Sequence, residues 1–150
     1  MNKRGYGVWE VPALLSAAFL LLFSLASFTS DQVITAFGPE QFVRQTGAPQ
    51  FITRTFALPS QAANPCTLTV QNGDSVATRV TSATLTLNGA VVAGPADFKK
   101  TVAHIEKAVV LQPQNTLTIQ LAGKPGSFII VSIHCPQAAN TTPVANAGPD

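Results

Sequence analysis

Cys66 and Cys135 are the two cysteines of the chain, and His104 and His134 its two histidines. Together they could in number supply four metal ligands. No C-x-x-C or H-x-x-x-H pairing gives them the spacing that zinc sites use. Cys135 follows His134 directly, and adjacent residues of a strand face opposite ways. Acid–base chemistry could come from His104 and Glu106, two positions apart, and a Ser-His-Asp set could be assembled from His104, Asp97 and one of several serines. The chain has no G-x-S-x-G elbow, no H-E-x-x-H and no glycine-rich phosphate loop. Beside Lys107, the His104–Glu106 pair reads as a solvated strand face. No catalytic residue and no metal ligand are therefore assigned, and a non-enzymatic role is expected. A structural calcium site built from loop oxygens near Asp74 and Asp97 is kept as an alternative, although only six acidic residues, well scattered, occur from Asp31 onward.

The elements that would position these residues begin after a targeting segment. Lys3 and Arg4 precede an uncharged run, ALLSAAFLLLFSLASF, of 16 residues from Ala13 to Phe28. It is short for a membrane span, which needs roughly 20 residues, and suits a secretory signal. Small residues such as Ser24 and Ala26 follow at cleavage-compatible spacing. A signal peptide over residues 1–30 is expected, helical in its apolar part and cleaved between Ala26 and Ser30, with an uncleaved signal anchor as the alternative. Trp9 and Tyr6 fall within it. The mature chain keeps six aromatic residues, Phe37, Phe42, Phe51, Phe56, Phe98 and Phe128, most of them expected in the core.

Residues 31–136 read as one all-β domain. Only 11% of the chain is charged, 46% is apolar, and Gly and Pro number 10 and 11, which suits a β-rich exported domain. Alternation of period two places Ala83, Leu85 and Leu87 on one face, and likewise Leu117, Ile119 and Leu121. Cys66 shares a face with Leu68 and Val70, and Cys135 with Ile133, Val131 and Ile129. The stretch around His104, Ile105 and Lys107 predicts a strand, with a short helical turn as the alternative. Asn72-Gly73-Asp74 and Asn88-Gly89 offer the positive-φ residues of tight hairpins, and Gly94-Pro95 and the segment from Gly123 to Gly126 mark loops. The strand lengths and turn spacing indicate an antiparallel β-sandwich. Two core-facing cysteines in an exported chain predict a Cys66–Cys135 disulfide, with two buried free thiols as the alternative. The net charge is +2, and no basic run is present to track phosphates, so no nucleic-acid partner is expected.

Five ordered elements carry a resemblance over roughly residues 34–134. They are Leu87 to Gly89, Gly94 to Phe98, Ile105 to Lys107, Asn115 to Leu117, and Gly123 to Ser127, preceded by ITAFGPEQFVRQTGAPQ. The pattern resembles a repeated β-sandwich module of large secreted or surface proteins of Gram-negative bacteria. It is also broadly similar to galactose-binding-like jelly rolls, which usually lack the paired cysteines. The tail TTPVANAGPD resembles the first strand of a PKD-type domain through Pro143, Ala145, Ala147, Gly148, Pro149 and Asp150. Residues 137–143 then read as a linker and residues 144–150 as the start of that domain, with a Pro-rich tail as the alternative.

These resemblances imply an exported structural or adhesion module, secreted or at the cell surface. Its partners would be downstream domains of the same chain, and polysaccharide or cell-surface components. The membrane would be met only through the signal segment. The alternative function is a carbohydrate-binding module of jelly-roll type, accessory to an enzyme domain beyond residue 150, with Asp97, Phe98, Lys124 and Ser127 as candidate contacts. It lacks support from Trp and Tyr, whose rings most readily pack on sugars while offering a polar handle.

Overall fold

The computed structural model describes residues 32–49 and 51–139. The expected signal segment, the expected PKD-type start and residues 140–143 of the expected linker lie outside them. The described chain forms eight strands: β1 (Val33–Val43), β2 (Phe51–Ala57), β3 (Cys66–Asn72), β4 (Ser82–Leu87), β5 (Ala90–Ala93), β6 (His104–Val109), β7 (Gln114–Ala122) and β8 (Phe128–Pro136). A single 3-10 turn, Pro95–Asp97, follows β5.

The strands make two four-stranded antiparallel sheets, ordered β1-β8-β3-β6 and β2-β7-β4-β5. The alternating residues that define them also fill the space between them. Leu68, Val70, Ile129, Val131 and Ile133 come from one sheet, and Ala83, Leu85, Leu117, Ile119 and Leu121 from the other, all buried in one core. Their partners in the alternation, largely threonines, lie on the outer faces, where a β-branched hydroxyl fits the pleat and still meets water.

β1 is the element whose alternation is hardest to read. Its pairing with β8 shifts between Thr35 and Phe37 and again between Phe37 and Glu40, so the period of two is broken twice. Gly38 sits there at φ +71°, and a Cβ on it would lie 2.2 Å from the Val131 carbonyl oxygen. Only glycine fits that approach.

All connections but one cross between the sheets. The exception is the β4–β5 hairpin, where Asn88 and Gly89 take φ of 51° and 84° as expected for a tight turn. The expected hairpin at Asn72-Gly73-Asp74 is corrected. Gly73 does have positive φ, but β3 is followed by a strand of the opposite sheet. Asn72, fully buried, directs this departure: its amide donates to the carbonyls of Val80 and Val102, both at 3.0 Å, and accepts from the Val80 N–H at 2.8 Å.

Antiparallel pairing sorts the connections to two ends. Segments 44–50, 73–81, 94–103 and 123–127 gather at one. Backbone bonds stitch them together: Arg44 N–H to Ser127 O and Gly126 N–H to Arg44 O, both 2.8 Å, Phe128 N–H to Thr78 O at 3.0 Å, and Asn72 N–H to Ala103 O at 2.8 Å. The opposite end holds segments 58–65 and 110–113, the β4–β5 hairpin, and both ends of the described chain. There the Gln137 N–H donates to Gln32 O, and Ala138 N–H to Gln61 O. The first residues of the expected linker are thus bonded to the sandwich.

Candidate functional site

Cys66 and Cys135 form a disulfide with an S–S distance of 2.05 Å. They lie one position beyond the Thr67–His134 pair of β3 and β8, so the bond joins neighbouring strands of one sheet. Both cysteines face the core and are buried, as their strand neighbours predicted. On the outer face nearby, Thr67, Thr69, His134, Val33 and Pro136 line a depression of about 340 Å³, and the Thr35 hydroxyl lies 3.2 Å from His134 Nδ1.

The four candidate contacts take different positions. Phe98 is 1% exposed and belongs to the core. Ser127 is equally buried, and its hydroxyl donates to the Lys124 carbonyl at 2.7 Å. Asp97 is engaged from two sides: it accepts from Lys107 Nζ at 2.8 Å and from the Gly94 N–H at 2.9 Å. The Lys107 hydrogen bond, reinforced by that of Gly94, holds its carboxyl below the usual carboxylate range. That carboxylate is thereby turned to Lys107 and not to His104. Lys124 is exposed. No hydrogen bond or ion pair joins Asp97 and Phe98 to Lys124 and Ser127 among the described residues. Segment 73–81 lies between them, bonded to β8 through Phe128 N–H to Thr78 O and to the 94–103 segment through Arg79 Nη1 to Lys100 O at 2.5 Å.

Lys124 instead belongs to a different grouping. The described residues carry seven basic side chains, Arg44, Arg54, Arg79, Lys99, Lys100, Lys107 and Lys124. Two of them are paired, Arg54 with Glu40 at 2.6 Å and Lys107 with Asp97 at 2.8 Å. The other five all fall in the connections of one end, where Asp74 is the single acidic side chain without a cationic partner. Asp74 is itself turned to the loop, its carboxylate accepting from the Thr78 hydroxyl at 2.6 Å. That bond lowers its pKa.

Arg44 is the unusual member. It is 8% exposed, and its guanidinium donates to the carbonyls of Gln45 and, at 2.6 Å, Gly47. Its Nε, like that of Arg79, is buried and has no hydrogen-bond partner. Buried cations are ordinarily matched by a carboxylate, because desolvating an unmatched ion is costly. Here the matching groups are neutral carbonyls. Arg44 also lines a cavity of about 10 Å³ with Val43, Gln45, Ile52 and Leu121, room for about one water molecule. At the rim of this end, Phe51, which opens β2, is 69% exposed, and Val76 is 57% exposed.

Comparison with protein-family models, with curated proteins and with solved structures finds no match.

Arg44, Arg79 and Phe51 were not singled out from the sequence, and Lys99-Lys100 read only as a solvated loop. The five cations are spread over residues 44–124, and only the crossing connections bring them to one end. No group of three or more His, Cys, Asp or Glu able to hold a metal exists among the described residues.

Proposed function

We propose that this chain is an exported, non-catalytic structural and adhesion module that holds its loop end away from its attachments. The observation that carries the reading is the polarity of the sandwich. Gln32 and Gln137 are hydrogen-bonded at one end, and four connections gather at the other. The described chain enters and leaves at the first end, and in this reading the second is the end that meets a partner. The nested pairing, β1 with β8, β2 with β7, β3 with β6 and β4 with β5, favours a jelly-roll topology, in line with the galactose-binding-like resemblance. The disulfide favours an oxidising compartment, in line with the apolar N-terminal run and a secreted or cell-surface location. The tail Pro143 to Asp150 favours a following PKD-type domain.

The test is fractionation of a Gram-negative host expressing the full chain, with N-terminal sequencing of the product and gels run with and without reductant. The expected product is outside the inner membrane, oxidised, and begins between residues 27 and 31. A full-length, reduced, cytoplasmic product would overturn the proposal.

A further inference from the structure

We infer that the loop end is a binding site for an acidic polysaccharide, one carrying carboxylate or sulfate groups along a sugar chain. The inference rests on the proposed display of this end, and names what the end would meet. Five cations without a carboxylate partner among the described residues, Arg44, Arg79, Lys99, Lys100 and Lys124, lie in the connections of this end, while the basic residues elsewhere in the described chain are already paired. Convergent positive charge raises the local concentration of an anionic partner and speeds its encounter.

Two further features point the same way. Arg44 is more than nine-tenths buried, with neutral partners and an orphan Nε, so the fold holds a cation at this end that no carboxylate among the described residues matches. Phe51 presents an exposed ring at the rim, an apolar platform of the kind that packs on the C–H face of a sugar. The exposed Thr46 and Thr81 add hydroxyls suited to sugar hydroxyl groups. Nucleic acid fits less well. A single strand asks for successive aromatic platforms, and this end offers one ring. A duplex asks for a track of phosphate contacts by an element seated in a groove, and the cations here sit on four separate connections.

The binding also has a predicted salt dependence, because Lys99, Lys100 and Lys124 are solvated and their attraction is screened. Arg44 and Arg79 set the field, and the three lysines make the contacts that can be removed without touching the core.

The test uses the purified full chain and measures affinity for polygalacturonate, heparin, a neutral glucan and a DNA oligonucleotide, at about 50 mM and about 500 mM sodium chloride. Polygalacturonate and heparin separate carboxylate from sulfate as the favoured anion. Binding to at least one of them is expected, weakened by salt, with the neutral glucan not bound. The variant Lys99→Ser/Lys100→Ser/Lys124→Ser should lose roughly tenfold or more in affinity and show a shallower salt dependence, with an unchanged melting temperature. Phe51→Ala should weaken binding while leaving the salt dependence as it was. Absence of binding to both acidic glycans, equal binding by the triple variant, or equal or tighter binding to DNA or the neutral glucan would overturn the inference. An exported chain that binds neither acidic glycan sinks the inference and leaves the display proposal standing. A chain that binds them but remains in the cytoplasm does the reverse.

Discussion

The backbone N–H of Gln137 donates to the carbonyl oxygen of Gln32 at 2.8 Å, so the chain leaves the sandwich beside the point where it enters. A module strung end to end in a rod would place those two residues at opposite poles. In the proposed arrangement the sandwich projects as a lobe. Its loop end stands away from the first end by about the length of β8, 9 residues or about 30 Å. The basic connections are therefore at the far pole.

The disulfide should contribute much of the lobe's stability. It closes a sequence separation of 69 residues, for which the chain-entropy account gives about 4 kcal/mol as a ceiling. Cys66→Ala/Cys135→Ala is expected to lower the melting temperature by about 10–20 °C, measured by calorimetry, and reductant should do nearly the same to the native chain. An unchanged melting temperature in both would refute a structural role for the bond.

Asn72 should behave as a core residue although it is polar. It is fully buried, and its side chain satisfies the Val80 N–H and the Val80 and Val102 carbonyls. Asn72→Ala leaves these groups without partners, at about 1–3 kcal/mol for each one stranded. A total loss of about 3 kcal/mol or more is expected in denaturant unfolding, with faster amide exchange at Val80. A loss below about 1 kcal/mol would mean that the loop end does not depend on this network.

The Asp97–Lys107 pair predicts a small acid-sensitive contribution. The folded carboxyl is held below its ordinary value, so its stabilisation is fully present above that value and fades as pH falls through the depressed one, below about pH 4. The side chains are 31% and 38% exposed, so water screens the pair and the effect should not exceed about 1 kcal/mol. Asp97→Asn should lower the melting temperature slightly at pH 7, with the difference from the native chain shrinking as pH falls below about 4. A difference that persisted at low pH would assign Asp97 some role other than the ion pair.

Most of the sandwich can be read from the sequence because its inner strands obey the period of two. Leu117, Ile119 and Leu121 point inward as their alternation with Thr118 and Gln120 requires, and Cys66 and Cys135 do so by the same rule. β1 resists that reading because Gly38 and Pro39 interrupt the pattern and two register shifts follow from it. The hairpin expected at Gly73 fails for a different reason. Positive φ marks a turn, but whether the chain folds back or crosses to the other sheet depends on Asn72 reaching Val80 and Val102, contacts that span up to 30 positions. Of the six phenylalanines Phe51 lies outside the core, since it falls on the outward side of β2 at its first position, and composition alone does not say which of the six that is. The basic end is the least legible part. Charge runs are visible in a sequence, whereas Arg44, Arg79, the Lys99-Lys100 pair and Lys124 are separated by whole strands and come to one end only through the crossing order.

The most direct test of the displayed loop end is amine labelling of intact cells and culture medium with a membrane-impermeant reagent, read lysine by lysine by mass spectrometry. The account predicts ready modification of Lys99, Lys100 and Lys124 without lysis, and slower modification of Lys107, which is held by Asp97. Modification of Lys99, Lys100 and Lys124 only after the cells are broken would contradict it.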